Sequence, residues 1–314
     1  MAGLGEIGPM PNSAIFADTQ SEPATVYTWL NWLEKQLPFP VVRVTKGNLE
    51  KETLVLHARK DGNGHWVRSG IPHYTTNSDG SRGHGQRQCT QDYKIGPILS
   101  HVRKMVLPQI TPWRRKHKSA VKQMSTWRKD VRAWKKVVKE AKAKKYPPPP
   151  APMKPLDAWL ELQADPLVVQ WIGISTDEAS RMKESHVDYV KNIWPLIDAN
   201  ISRQDCLNWM KEKGFPKPPR SACVFCPYHS DHEWLRLQTE EPEEFKRAIR
   251  FEKEYQRLKV LTVSKKGFFP YLHDSRKPLE TIDFAALVKA ADAKAKGKLE
   301  ASQFNNECLG MCGV

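Results

Sequence analysis

Six cysteines stand in the 314-residue sequence, and four of them form two close pairs. Cys223 and Cys226 frame Cys-Val-Phe-Cys, with Pro218-Pro219 ahead and a helix-like run behind; Cys308 and Cys312 frame Cys-Leu-Gly-Met-Cys at the chain end. Thiols at such spacing turn two sulfurs toward one cation, the pattern from which zinc and iron–sulfur sites are built. Each pair is half a site. The expectation is therefore one centre held by Cys223, Cys226, Cys308 and Cys312, with the tail pinned by its own ligands where chain ends otherwise fray. Zinc would take a tetrahedron of sulfurs at about 2.3 Å, whereas a 4Fe-4S cluster would hold them farther apart. Thiolates this close repel unless a cation neutralises them. His229 and His232 continue the three-residue spacing as rival ligands, ranked below the tail because a helix starting at Ser230 turns at least one of them outward. Cys89 is a further rival, or a free catalytic thiol. The plainer alternative is that the paired cysteines are small buried hydrophobes.

A second group of residues could hold an anion. Arg87, Cys89 and Lys94 come just ahead of a helix whose apolar face is Ile98, Leu99, Val102, Met105 and Val106, and the start of a helix favours negative charge. A solvated loop with a structural cysteine is the alternative there. Asp18 and Thr19 end the apolar run Ser13–Thr19, and Thr176-Asp177-Glu178-Ala179-Ser180-Arg181 follows the run Leu167–Ser175. Short apolar runs of this kind read as buried parallel strands, whose C-terminal ends face the ligand crevice of an open α/β sheet.

The elements that must position these groups are legible in outline. After Pro23, the residues Val26, Trp29, Leu30 and Leu33 repeat at helical spacing until Pro38 and Pro40, and Val41–Thr45 reads as the next strand. Strand, helix, strand predicts a βαβ unit of right-handed connection. Residues 62–85 read as a long loop with an extended piece at Ile71–Tyr74, and Trp194–Ile197 as a short apolar piece. Ser202 predicts an N-cap and Gly214 a helix end, with Cys206 in the core; Pro242-Glu243-Glu244 opens another helix with Phe245, Ala248, Ile249 and Tyr255 inward.

Apolar residues make up 39% of the chain, enough to bury a sizeable core. There is no apolar run of bilayer length and no basic-then-hydrophobic start, so no membrane partner and a cytoplasmic location are expected. There thiols stay reduced, and cysteine pairs read as metal or redox sites before disulfides. The net charge of +15 is concentrated: residues 113–145 hold fourteen basic and two acidic side chains, a net of +12. Within that segment Ala120, Met124, Trp127, Val131, Trp134, Val138 and Ala141 form one apolar stripe at helical spacing. Such a helix either docks the stripe on its own domain with lysines solvated, or is an arm that tracks a phosphate backbone, a partner or a membrane surface. Pro147–Pro150, Pro152 and Pro155 make a polyproline spacer, so the segment reads as an insert.

Taken in order, Ile15-Phe16-Ala17-Asp18-Thr19 with Glu22, Arg87-Gln88-Cys89-Thr90 with Lys94 and Pro97, Gly173-Ile174-Ser175 with Asp177, Glu178 and Arg181, Pro195-Leu196-Ile197, and the cysteine pair resemble the phosphoadenosine phosphosulfate reductase family. The nearest likeness is to bacterial and phage members ending in Cys-x-Gly-Met-Cys-Gly-Val. The resemblance covers nearly all of the chain except the basic insert. It implies an α/β fold of the nucleotide alpha-hydrolase type: a Rossmann-like parallel sheet with helices on both faces, binding an adenine nucleotide across the strand ends. It further implies that Asp18 and Thr19 line the nucleotide site, that Arg87 and Lys94 hold phosphate or sulfate, and that Glu178 and Arg181 complete the pocket. Relatives split an activated sulfate or adenylate a substrate before sulfur transfer, and some carry an iron–sulfur cluster, which favours a cluster over zinc. Family members begin with a strand and a Ser/Gly-rich phosphate loop that residues 1–13 do not contain. That strand is expected to be encoded upstream, supplied by another polypeptide, or absent from a repurposed member. On this frame residues 1–110 and 156–264 are the two parts of the α/β domain, the second with the cysteine pair. Residues 111–155 are the basic insert with its spacer, and 265–314 the tail with the second pair. The expected function is an adenine-nucleotide-binding enzyme of sulfur transfer or sulfate reduction, in which Cys89, Arg87 and Lys94 are the catalytic candidates and a nucleic acid is a candidate partner of the insert. The alternative is a non-catalytic metal- or cluster-binding protein that binds nucleic acid.

Overall fold

The apolar run before Asp18 forms strand β1 (Ala14–Asp18); Pro23 precedes helix α1 (Ala24–Gln36), and strand β2 (Val41–Thr45) follows. β1 and β2 are parallel, with Ala14 opposite Val41 and Asp18 opposite Thr45. α1 buries Val26 and Leu30, then Leu37 turns extended ahead of Pro38. Arg43 on β2 donates from Nε to Glu34 on α1 at 2.7 Å, tying the helix to its strand. The computed structural model describes residues 1–62, 64–68, 70–76, 80–262 and 269–294, and its architecture is mixed α/β. Cys308 and Cys312 lie outside the described residues. The described chain falls into two compact units, residues 3–9 with 100–212 and residues 10–99 with those from 213 onward.

In the unit containing β1, helix α2 (Leu49–Thr53) is capped by Asn48, whose side chain accepts from Lys51 N at 2.8 Å. The stretch expected to be a long loop with an extended piece at Ile71–Tyr74 carries several short strands, one of which begins at Tyr74. β3 (Leu56–Ala58) pairs antiparallel with β4 (His65–Val67), and β5 (Tyr74–Thr76) with β6 (Arg82–His84). A π-helical turn, Thr90–Ile95, then leads into helix α3 (Gly96–Met105).

The other unit holds the basic segment. Helices α4 (Leu107–Lys116), α5 (Lys118–Ala143) and α6 (Leu156–Ala164) are followed by strand β7 (Val168–Trp171), a 3-10 turn at Thr176–Arg181 and strand β8 (Val190–Ile193). β7 and β8 are parallel, Val168 opposite Val190. Helices α7 (Pro195–Asp198) and α8 (Arg203–Glu212) close the unit. Pro195 opens a helical turn, so the strand lies just ahead of the apolar piece at Trp194–Ile197. Ser202 caps α8 through Asp205, whose carboxylate accepts from Ser202 N at 2.8 Å, and Gly214 has the left-handed φ of 69° expected past a helix end. No residue of α8 is fully buried, so Cys206 is half-buried and not part of a core.

The stripe of α5 docks at home. Ala120 and Met124 are buried and α5 packs on α6. Farther along, the indole N–H of Trp127 donates to Pro152 O at 3.1 Å and that of Trp134 to Pro149 O at 2.8 Å. A polyproline segment has no internal hydrogen bonds, which leaves its carbonyls available for this. Lys154 lies 3.7 Å over the Trp159 ring on α6 and pairs with Glu184. The proline run is thus a strap laid along α5, and the helix keeps its cations toward water.

Back in the first unit, Ser230 caps helix α9 (Asp231–Glu240) by accepting from Glu233 N at 3.2 Å. Helix α10 (Pro242–Thr262), strand β9 (Phe269–Tyr271) and helix α11 (Phe284–Lys294) complete it. β9 pairs antiparallel with β5. The core gathers Val224, Phe225, Trp234, Phe245, Phe251, Tyr255 and Phe284, with Tyr93 from the π-helical turn. Phe225 stacks on Phe251 with centroids 4.0 Å apart, which anchors the loop carrying the cysteine pair to α10.

Candidate functional site

Three segments far apart in sequence meet at the C-terminal end of β1. The first is the turn after the strand. Asp18 accepts from Gln20 N at 2.7 Å and from Tyr27 OH at 2.8 Å, and Gln20 takes a left-handed φ of 56°. Burial, together with Asp18, raises the Tyr27 phenol, so Tyr27 stays a donor to that carboxylate. Thr19 and Ser21 are buried, and Leu49 N donates to Thr19 O at 3.1 Å.

The second segment is the cysteine loop. Val224 N donates to Ser21 O at 2.8 Å, which seats the loop on the turn, and Cys223 Sγ lies 3.4 Å from Thr19 Oγ1. Cys226 N donates to Cys223 O at 2.9 Å, closing the tight Cys-x-x-Cys turn. His229 is buried, and its Nε2 lies 3.0 Å from Cys223 O. Burial lowers the His229 pKa to about 3, so the imidazole is neutral and Nε2–H is the donor, leaving only Nδ1 with a lone pair. His232 pairs instead with Asp292 on α11 at 3.0 Å.

The third segment is the π-helical turn, an element that recurs at functional sites because its extra residue re-aims side chains. Cys89 precedes it, with its N–H donating to Gly70 O at 2.8 Å, and packs with Cys223 on the core. Lys94 reaches Glu22, Nζ to Oε1 at 3.4 Å. Glu22 has 0% side-chain exposure against 24% for Lys94, so the acid is sealed and the cation keeps an outlet to solvent. Ser221 Oγ, on the cysteine loop, lies 3.4 Å from the second Glu22 oxygen. Arg87 lies over the Tyr228 ring at 5.4 Å.

These contacts set the chemistry of the thiol. Burial and the Glu22 carboxylate push the Cys223 pKa up to about 12, against the weaker downward pull of Lys94 and Thr19, and Cys89 adds to the rise. At neutral pH Cys223 is therefore a protonated thiol, poor as a nucleophile until a cation or a shift of charge lowers it. Two thiols on a tight turn fit half of a tetrahedral or cluster donor set; among the described residues no group of three or more His, Cys, Asp or Glu is placed to hold a metal ion.

Of the residues singled out from sequence, Asp18, Thr19, Cys89, Lys94 and Cys223 are thus brought together, and Cys226 joins them through its turn. Glu178 and Arg181 belong to the unit containing α5 and pair with one another. Residues given no role in the sequence reading also enter the site: Glu22 as the buried partner of Lys94, Tyr27 on Asp18, and Ser221. Glu22 stood in the stretch that carries the resemblance, without a role of its own. Among the described residues no helix is long and apolar enough to cross a membrane. Compared with known proteins, the chain matches no family model, no curated protein and no solved structure.

Proposed function

We propose that this chain is an adenine-nucleotide-binding enzyme of sulfur chemistry, similar to the phosphoadenosine phosphosulfate reductases, with its reacting centre at the C-terminal end of β1. The observation that carries the reading is the meeting of Thr19, Glu22, Cys89, Lys94 and Cys223 from three segments beside a parallel strand pair. In parallel α/β architectures ligands enter beyond the strand ends, and this end gathers a partly exposed lysine, two half-buried thiols and the buried hydroxyls of Thr19 and Ser21. In this reading Lys94 meets a phosphate or sulfate oxygen, exchanging part of its contact with Glu22 for the ligand. Asp18 and Thr19 line the nucleotide, and Cys89 is the thiol that reacts. The Rossmann-like parallel sheet belongs to the same proposal, and its support is one parallel pair in each unit, β1 with β2 and β7 with β8.

The Cys-x-x-Cys turn favours a second reading, because the bond from Cys226 N to Cys223 O at 2.9 Å closes two thiols into half of a metal donor set. In that reading Cys223 and Cys226 join Cys308 and Cys312 around zinc or a 4Fe-4S cluster, and the protein need not catalyse anything. Anaerobic purification of the full chain with metal analysis, alongside calorimetry with adenosine 5′-phosphosulfate and ATP, separates the two. Nucleotide binding that is lost in Lys94→Met supports the enzyme. A metal-loaded protein that binds neither nucleotide supports the structural centre and ends the enzyme reading.

A further inference from the structure

The solvent face of α5 is the largest feature that the proposed site does not use. Lys118, Lys122, Lys129, Arg132 and Lys136 are all exposed, and none of them makes an ion pair with a described residue. At 3.6 residues per turn they fall within about 80° of arc on the side opposite the apolar stripe. The exposed Ser125 fills the gap between Lys122 and Lys129. From Lys118 to Lys136 the row is about 27 Å long at 1.5 Å per residue. Arg128, by contrast, is spent on Asp188 at 2.6 Å.

What covers the stripe decides which partner fits the row. A membrane-surface helix or a coiled-coil partner needs an apolar face to bury. Here that face is already closed by α6 and by the proline strap, with both tryptophan N–H groups bonded to proline carbonyls. The two indole bonds to the strap fix which face of α5 is covered, so the positions that carry the cations stay in one row on the opposite face. We infer that the α5 face formed by Lys118, Lys122, Ser125, Lys129, Arg132 and Lys136 is a docking surface for the phosphate backbone of a nucleic acid. Each cation meets one phosphate and releases its condensed counterions, and the serine hydroxyl donates to a phosphate oxygen between them. Nothing on this face reads a base, so the binding is insensitive to sequence. The inference is independent of the nucleotide site.

The test uses the full chain, a 30-nucleotide single strand and the matching duplex, with anisotropy measured from 50 to 200 mM salt. Five neutralised phosphates account for a slope of about 4.5 in log K against log salt on a duplex, or about 3.5 on a single strand. Over that salt range these slopes correspond to an affinity loss of about 500-fold or about 130-fold, so the slope also tells which form is held. The variant K118Q/K122Q/K129Q/R132Q/K136Q keeps good helix formers and leaves the stripe intact, and should lose that part of the slope. A control with the same charge change, K35Q/K51Q/K60Q/K104Q/R250Q, should keep it. Equal loss in both, an unchanged slope in the first, or binding to vesicles of anionic lipid but to neither nucleic acid overturns the inference. Lysine acetylation of the unaltered chain gives a reading free of any folding defect: nucleic acid should protect Lys118, Lys122, Lys129 and Lys136 but not Lys35 or Lys51, and the reverse pattern overturns it too.

Discussion

Removing the charge of Glu22 tests whether the pair at the end of β1 is organised as described. Lys94 Nζ and Glu22 Oε1 are 3.4 Å apart, so at an effective dielectric of about 20 their gross attraction is about 5 kcal/mol. The net coupling is smaller, because Lys94 retains an outlet to water while Glu22 has none. Lys94→Met strands a buried carboxylate and should cost about 3–5 kcal/mol. Glu22→Gln keeps an oxygen for Ser221 and should cost about 1 kcal/mol, and the double variant should be little worse than Glu22→Gln alone. Urea unfolding of the three variants should then give a coupling of about 3–5 kcal/mol, at or above the top of the range for groups in direct contact. The same substitution releases Lys94 toward a ligand, so calorimetry should find an adenine nucleotide bound about tenfold more tightly by Glu22→Gln, or about 1.4 kcal/mol. Additive free energies would refute the pairing. Weaker nucleotide binding by a folded Glu22→Gln protein would refute the role of Lys94 as the anion-holding cation.

Three further outcomes follow from packing and protonation. His117 bridges Glu161 at 2.8 Å and Asp165 at 2.7 Å; burial pulls its pKa down, the two carboxylates outweigh this, and the net shift is upward. The bridge is therefore complete below the ordinary histidine value of about 6.5 and lost as pH rises through the raised one, so the stability gap between wild type and His117→Gln in urea should be wider at pH 6 than at pH 9. Glu252 accepts from Leu272 N at 2.9 Å and Leu279 N at 2.8 Å, and Glu252→Ala should cost about 2–4 kcal/mol by orphaning two buried amides, read as a lower urea midpoint. At Gly85 an added Cβ would meet the buried His73 ring at 2.4 Å, and with that ring held edge-on to Tyr255 the variant Gly85→Ala should lose about 1–3 kcal/mol in the same assay.

Legibility in the sequence tracked how local the determining signal was. β1, α1 and β2 could be read because an apolar run, a proline at the helix start and a helical stripe lie within about thirty residues. The Ser230 and Ser202 caps were readable for the same reason. Of the strands between residues 56 and 84 only the start of β5 was legible, as the extended piece at Ile71–Tyr74: each is three residues long, too short for an alternating pattern, and β5 depends on β9, nearly two hundred residues away. β8 was hidden because Val190-Lys191-Asn192-Ile193 alternates weakly and adjoins the more continuously apolar Trp194–Ile197. The stripe of α5 was plain, yet its cover was not. Periodicity says that a face is apolar and leaves open whether a neighbour, a membrane or the chain's own proline strap lies against it. At the site, the resemblance pointed to Asp18, Thr19, Cys89 and Lys94, but the burial of Glu22 against Lys94 arises only when the cysteine loop and the π-helical turn close over the end of β1.

The most direct test of the proposed centre is photolabelling of the full chain with an azido-adenine nucleotide, followed by peptide mapping. The account predicts label on peptides covering residues 18–22, 87–94 or 221–226, suppressed by excess unmodified nucleotide and reduced in Lys94→Met. Label confined to other segments, or no competable label at all, would contradict the assignment of the β1 end as a nucleotide site.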